Sequence, residues 1–214
     1  MIPILNSLAA AANPLFKGEA IYIPFALNKF YELHPPEPFH KYVFGQLKDG
    51  EIPFGGYMEN REVYQQSHVF QENGRARSLH LGVDFWAPVE TVICSPLDGI
   101  VVGKKDNAGI GNYGGTLIVK HTYTDGSFYT LYGHLEIESI PWNSGDVVKA
   151  GQEVGHLGGL QSNGYWPPHL HFQIITTLNE EKIDFPGVCF PEEKDKFLDL
   201  CPDPNYLLQY ESEV

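Results

Sequence analysis

The chain has 214 residues, of which 43% are hydrophobic and 19% charged, and its formal net charge is −13. This length accommodates one domain, with or without a large extension. The acidic balance argues against nucleic acid as a partner, because phosphate binding needs clustered Lys and Arg. No run approaches the roughly 18 apolar residues of a membrane-spanning helix.

Residues 1–60 contain no recognisable motif, and we interpret them as an N-terminal extension of unknown role. The apolar stretch over residues 1–12 has no positively charged start and contains Pro3 and Asn6, so it matches a signal peptide poorly. We therefore expect a cytoplasmic protein, or a periplasmic or exported one if this stretch acts as an atypical signal.

Residues 61–214 are predicted to form one β domain. Its motif-bearing part, residues 79–175, alternates short strand-like runs with turn signals such as Asp125-Gly126. This pattern, in a chain with 22 Gly and 16 Pro, favours a mainly β, antiparallel fold. A short C-terminal helix is predicted to begin at Asp203-Pro204, since Asp is a good N-cap and Pro suits the first helical position.

The run over residues 168–174 alternates polar and apolar side chains. Because successive side chains of a strand point to opposite faces, His169, His171 and Gln173 are expected to share one face. The other face carries Leu170, Phe172 and Ile174. This strand is therefore predicted to present histidines to a groove while its back packs against an apolar core.

A second histidine-bearing strand is predicted over residues 128–135. The same alternation places Tyr132 and His134 on one face, and we interpret that face as polar. Tyr132 is expected to serve in packing, with contact to a substrate as the alternative.

His80 and Asp84 are four residues apart, with Gly82 between them. On a straight strand they would lie about 13 Å apart at roughly 3.3 Å per residue, too far to share one ion. Gly82 and the nearby Pro88 argue against a helix, so we predict a bend of the backbone at Gly82.

Zinc favours His nitrogen and carboxylate oxygen, and a catalytic zinc keeps three protein ligands and one open position. We predict His80, Asp84 and His171 as the ligands. His134 and His169 are then candidates for an acid–base and electrostatic pair that acts on a zinc-activated water.

Cys94, Cys189 and Cys201 form neither a zinc-knuckle pattern nor a disulfide framework. Free thiols are expected, with a Cys189–Cys201 pair as the alternative in an oxidising compartment. Arg75 and Arg77, just before His80, are expected to be solvated, with a clamp on a substrate carboxylate as the alternative.

Three motifs follow one another along the chain: His80-Leu81-Gly82-Val83-Asp84, Tyr132-Gly133-His134-Leu135 and Pro168-His169-Leu170-His171-Phe172. In this order they resemble the lysostaphin-type (LytM-type) zinc metallopeptidases. The resemblance covers residues 79–175 and is reinforced by residues 95–101 and 148–155. It implies an antiparallel, duplicated-hybrid-motif-like β-sheet with a substrate groove, and an endopeptidase with one zinc per chain that cleaves peptidoglycan cross-links.

By motif position, the resemblance implies that His80, Asp84 and His171 bind the zinc and that His134 and His169 are the two catalytic histidines. The chain departs from the family pattern just before His169, where bulky residues stand in place of a small Ser/Thr-Gly stretch. These residues are Tyr165 and Trp166. They are expected to reshape or narrow the groove.

Two other functions remain open from the sequence. One is a zinc-bearing module that binds a peptide without cleaving it, which the bulky aromatic pair favours. The other is a metal-dependent hydrolase of a small cytoplasmic metabolite. The sequence makes no prediction of oligomeric state.

Overall fold

A computed structural model of the chain describes residues 5, 19–22, 41, 44–45, 51–61, 64, 68–124 and 126–209. The strands found there are β1 (Glu19–Tyr22), β2 (Glu51–Gly55), β3 (Gln71–Glu72), β4 (Arg75–Ala76), β5 (Leu79–His80), β6 (Val83–Trp86), β7 (Val92–Cys94), β8 (Gly99–Asn107), β9 (Gly114–Tyr123), β10 (Gly126–Leu135), β11 (Val147–Val148), β12 (Glu153–His156), β13 (His169–Ile175) and β14 (Val188–Cys189). The α-helices are α1 (Lys194–Leu200) and α2 (Asn205–Leu208), and short 3₁₀ turns cover His68–Phe70, Ile137–Ser139 and Pro191–Glu193.

The main sheet of the described residues has eight strands in the order β1-β2-β6-β13-β10-β9-β8-β11. All its neighbours pair antiparallel except β1 and β2, which run parallel. The prediction of a mainly β, antiparallel fold is thereby confirmed. Of the expected hairpin signal Asp125-Gly126, Asp125 lies outside the described residues, while Gly126 begins β10 and pairs with Tyr123 of β9.

The back of the sheet packs against the main apolar core. Strand β13 contributes Leu170, Phe172 and Ile174 to this core, all with no exposed surface. The front of the same strand carries His169, His171 and Gln173, which are also buried. The alternation predicted for this strand is therefore confirmed, and it separates the core from the polar site.

The prediction that Tyr132 shares a face with His134 is wrong. Tyr132 is fully buried in the main core, with its ring 5.3 Å from that of Phe172. The pairing of β10 with β9 shifts register between Tyr132 and Leu135, and His134 has a φ of 64°. This irregularity rotates His134 away from the core face, to which strict alternation would have assigned it.

The described residues within 1–60 contribute to the same sheet and the same core. Strand β2 pairs with β6, and its Ile52 and Phe54 are buried in the main core. Leu5 is also part of that core, with no exposed surface.

The C-terminal part holds two short helices. Helix α2 confirms the expected C-terminal helix, and Oδ1 of Asp203 accepts the backbone N–H of Asn205 at 2.9 Å. Helix α1 was not predicted. It is anchored by Phe197 in a cluster that contains Cys189 and Cys201, both of which are free thiols. None of the helices in the described part of the chain is long and apolar enough to span a membrane.

His121 in β9 is a buried histidine remote in sequence from the three motifs. Its Nδ1 lies 2.9 Å from the carbonyl oxygen of Asp98 and its Nε2 lies 2.8 Å from Oγ1 of Thr130. Burial lowers its pKa from 6.5 to about 4, so the folded protein holds this imidazole neutral at pH 7.

We expect this histidine to make folding stability depend on pH in a defined window. Below pH 6.5 the unfolded chain protonates His121 and the folded chain does not, so stability falls as the pH drops from 6.5 to about 4 and then levels off. The loss is on the order of 3 kcal/mol. Urea denaturation of wild type and His121→Gln across this range measures the loss: the difference between their free energies of unfolding should narrow at low pH. If the two free energies of unfolding change in parallel with pH, His121 has the same pKa in the folded and unfolded states.

Candidate active site and metal centre

Three side chains from three strands converge on one point. Nε2 of His80 (β5) lies 2.9 Å from Nδ1 of His171 (β13) and 3.2 Å from Oδ1 of Asp84 (β6). Nδ1 of His171 lies 3.0 Å from the same carboxylate oxygen. All three residues are buried, and their candidate ligand atoms lie within 4.8 Å of one another. The structure thus brings together the three residues that were predicted from the sequence to bind zinc.

The backbone bends at Gly82, as predicted, and the bend brings His80 and Asp84 together. Strand β5 pairs with β14 in a separate small sheet, whereas β6 belongs to the main sheet. A Cβ on Gly82 would lie 2.6 Å from the carbonyl oxygen of Phe172 and 2.8 Å from two ring atoms of His171. Glycine is therefore required by the close approach of β13.

The protons of the two imidazoles point away from the convergence. Nδ1 of His80 lies 3.1 Å from the carbonyl oxygen of Gly56, which can only accept a hydrogen bond. Nε2 of His171 lies 2.9 Å from Oε1 of Gln173, whose amide nitrogen donates to the carbonyl oxygen of Pro186. Each ring therefore carries its hydrogen on the outer nitrogen and turns a lone pair inward.

Two imidazole lone pairs and one carboxylate oxygen then meet within about 3 Å with no proton between them. Such an arrangement is repulsive unless a cation lies among the three atoms. The donor set, two nitrogens and one oxygen, is one that zinc accepts in catalytic sites. The residues present therefore fit a zinc ion.

The electrostatics of the site keep the Asp84 carboxylate charged and the His80 imidazole neutral. Burial alone would raise the pKa of Asp84, but its interactions with His80 and with the positive charge of Arg61 hold that pKa well below its usual range. Burial and the positive charge of Arg61 lower the pKa of His80 to about 4. Both groups are thus in the protonation state that metal binding requires.

Arg61 is a functional residue that the sequence reasoning missed. It is 2% exposed, and its Nη1 donates to Oδ2 of Asp84 and to the hydroxyl of Tyr64, the latter at 2.7 Å. Its Nε donates to Glu59 at 3.1 Å. The guanidinium therefore holds the carboxylate oxygen that faces away from the imidazoles.

The two arginines considered from the sequence lie elsewhere. Arg75 forms an exposed ion pair with Glu192 and stacks over Phe190. Arg77 donates to the carbonyl oxygen of Val69. No local pattern distinguished Arg61 from them, because its partner Asp84 is 23 residues away in the sequence.

His134 and His169 lie side by side next to the three converging groups. Their ring centroids are 4.1 Å apart, and Nε2 of His169 is 3.9 Å from Oδ1 of Asp84. Nδ1 of His134 lies 2.8 Å from the carbonyl oxygen of Asn163, and Nδ1 of His169 lies 2.7 Å from that of Pro167. Burial lowers the pKa of both histidines. Each is therefore a neutral ring whose Nε2 carries a lone pair.

Of the aromatic pair before His169, Trp166 lies against the site and Tyr165 is exposed. Trp166 places its ring 6.4 Å from that of His169, at 87° to it. The other side of Trp166 contacts Tyr64 and Phe70, at 5.8 and 6.3 Å between ring centroids. Of the two bulky residues, Trp166 thus forms one wall beside a candidate catalytic histidine.

The fold and site define an antiparallel β protein with a two-histidine, one-carboxylate metal centre flanked by a pair of neutral histidines. The profile of Peptidase family M23 matches residues 78–185 of this chain. The chain belongs to this family of zinc metallopeptidases, which confirms the lysostaphin-type resemblance.

The sequence relatives include peptidoglycan hydrolases. Lysostaphin from Staphylococcus simulans is 41% identical over 96 residues, which are 44% of this chain and 18% of the relative. Peptidoglycan DD-endopeptidase ShyC from Vibrio cholerae is 35% identical over 96 residues, 45% of this chain and 20% of the relative. An uncharacterised metalloprotease from Buchnera aphidicola is 34% identical over 151 residues, 69% of this chain and 34% of the relative. The chain thus spans about a fifth to a third of the length of these relatives.

Solved structures of similar proteins include two peptidases. The catalytic domain of lysostaphin from Staphylococcus simulans is 30% identical with a TM-score of 0.38, covering 58% of this chain and 82% of that domain. A zinc-containing peptidase from Vibrio cholerae is 27% identical with a TM-score of 0.41, covering 61% of this chain and 35% of that protein.

The close approach at Gly82 predicts that an added methyl group is harmful there. We expect Gly82→Ala to destabilise the protein by about 1–3 kcal/mol, because β13 or the His171 ring must move. Gly159→Ala is a matched control, since its Cβ would meet nothing nearer than a Val89 methyl at 3.9 Å. Urea denaturation of both variants measures the effect, and equal stabilities would contradict the assigned role of the bend.

The buried Arg61–Asp84 pair predicts a large cost of removing one partner. We expect Arg61→Met to destabilise the metal-free protein by about 3–5 kcal/mol, because it leaves the Asp84 carboxylate buried without its counter-charge. Arg75→Met removes an ion pair whose side chains are 59% and 56% exposed, and should cost about 1 kcal/mol or less. Denaturation in the presence of a chelator measures the free energy of unfolding of both variants. Similar losses of stability in Arg61→Met and Arg75→Met would contradict the prediction.

Proposed function

We propose that this chain is a zinc-dependent endopeptidase that hydrolyses peptide amide bonds, with peptidoglycan cross-links as its substrate class. The observation that carries the proposal is the convergence of three unprotonated donor atoms, from His80, Asp84 and His171, beside two neutral histidines. We assign these three residues as the ligands of one zinc ion. Bound there, zinc supplies a Lewis acid that polarises a scissile carbonyl and activates water near neutral pH.

His169 acts as the general base in this proposal. Its Nδ1 is committed to the carbonyl oxygen of Pro167, so Nε2 is the atom that accepts a proton from the attacking water. The carboxylate of Asp84, 3.9 Å from that nitrogen, favours the protonated form. The same Nε2 can then return the proton to the leaving amine.

His134 supports the same reaction from the neighbouring position. Its pKa is lowered by burial and further by the charge of His169, so the two rings do not carry a proton at the same time. With Nδ1 held by Asn163, His134 also presents Nε2 to the cleft. We assign it to accepting a hydrogen bond from the attacking water, which orients that water.

The substrate class rests on the relatives. Their names include peptidoglycan DD-endopeptidases from Vibrio cholerae and a glycyl-glycine endopeptidase from Staphylococcus capitis. The matches to ShyC and to the glycyl-glycine endopeptidase cover 96 and 98 residues, which are 20% and 25% of those relatives. We therefore propose cleavage of peptide cross-links rather than of sugar linkages.

Zinc stoichiometry and turnover separate the proposed roles. We expect His171→Ala to lose the zinc ion, because one of three protein ligands is removed. We expect His169→Ala to keep the zinc but to lose turnover by about 10²- to 10⁴-fold, the usual contribution of a general base. His156→Ala is a matched control on a partly exposed histidine that pairs with Glu153, and should behave as wild type.

The assay pairs metal analysis with a cleavage panel of muropeptides, glycine oligomers and simple dipeptides. Full zinc occupancy in His171→Ala would contradict the ligand assignment, and full turnover in His169→Ala would contradict its role as base. A zinc-loaded wild type that binds muropeptides without cleaving them would point instead to a peptide-binding module. Cleavage of dipeptides alone would point to hydrolysis of a small metabolite.

A further inference from the structure

Trp166 offers a fixed, half-buried aromatic surface beside the proposed base. Its ring stands perpendicular to that of His169 at 6.4 Å between centroids. On another side of His169 lies Trp86, at 5.9 Å, but that residue is 2% exposed and belongs to the interior of the sheet. A substrate next to His169 can therefore reach the Trp166 indole and not that of Trp86.

The position of Trp166 is set by its neighbours in the chain. The side chain of Asn163, which has no exposed surface, accepts the backbone N–H of Trp166 at 3.1 Å and donates to its carbonyl oxygen at 2.9 Å. The same Asn163 donates to the carbonyl oxygen of Gly158, and its own carbonyl oxygen contacts Nδ1 of His134. The loop that carries the indole is thus tied to one of the proposed catalytic histidines.

Aromatic packing fixes the far side of the indole. Tyr64 and Phe70 are buried, stack on each other at 4.4 Å and both contact Trp166. Tyr64 is itself held by Arg61, which donates to its hydroxyl. The indole is therefore preorganised from two directions, and a substrate need not order it.

We infer that Trp166 determines substrate specificity by favouring peptides with an apolar side chain next to the scissile bond over glycine–glycine bonds. This inference rests on the proposed peptidase function and names its substrate class more closely. A glycine has no side chain to place on the indole, whereas an alanine or leucine side chain buries apolar surface there. Beside His169, the half-buried indole of Trp166 is an apolar surface that such a side chain can contact.

The test compares peptides of equal length that differ at one residue next to the scissile bond: glycine, alanine or leucine. With the zinc-loaded full chain, we expect kcat/KM to favour leucine over glycine by about tenfold or more, mostly through KM. Trp166→Ala should reduce this preference to about twofold or less, and Trp166→Phe should keep most of it. Trp142→Ala is the matched control, since that indole donates to the backbone carbonyl oxygen of Glu153 and packs against the main core.

Equal kcat/KM for the three peptides in wild type, or an unchanged preference in Trp166→Ala, would overturn the inference. If Trp166→Ala does not fold, calorimetric binding of the glycine and leucine peptides to wild type tests the inference, and the leucine peptide is expected to bind more tightly. Equal affinities there would also overturn it. A zinc-loaded wild type that cleaves no peptide refutes the proposed function, whereas the binding preference still decides the role of Trp166.

Discussion

The structure depends on a buried carboxylate whose two oxygens meet different partners. Oδ1 of Asp84 faces the lone pairs of two imidazoles, and Oδ2 receives the guanidinium of Arg61. The two ring nitrogens and the carboxylate oxygen repel one another unless a cation lies among them, and each ring is also held by a hydrogen bond on its outer nitrogen. The supporting bonds come from Gly56 and Gln173. These outer contacts orient both rings toward the carboxylate, so the three atoms are placed to bind one cation.

Two departures from regular strand geometry bring the site together. His80 and Asp84 would be about 13 Å apart on a straight strand, yet their side-chain atoms lie 3.2 Å apart because the chain bends at Gly82. His134 would face the apolar core by strict alternation, and its positive φ turns it toward His169 instead. Glycine stands next to His134 because a Cβ at Gly133 would lie 2.7 Å from the ring of Tyr113. Local backbone irregularity is thus the means by which distant motifs meet.

These irregularities also explain what the sequence could predict. The two faces of β13 could be predicted from period-two alternation. The bend at Gly82 could be predicted because His80 and Asp84 are too far apart on a straight strand to bind the same ion. The same alternation rule failed for Tyr132, because a bulge resets the faces and leaves no signature in residue order. Arg61 and Asn163 were not predicted at all, since their partners lie 23 and 29 residues away and become neighbours only in the fold.

The functional unit of this chain extends upstream of the part that matches the family. The family profile covers residues 78–185, but the carbonyl group that orients His80 belongs to Gly56, and the counter-charge of Asp84 belongs to Arg61. Strand β2, which ends at Gly55, also pairs with the strand that carries Asp84. The described residues between 51 and 70 therefore supply a strand beside β6, a contact behind a proposed zinc ligand and the aromatic support of Trp166. A fragment restricted to the matched residues would retain all five histidine and aspartate candidates and lose the contacts that set their charge and orientation.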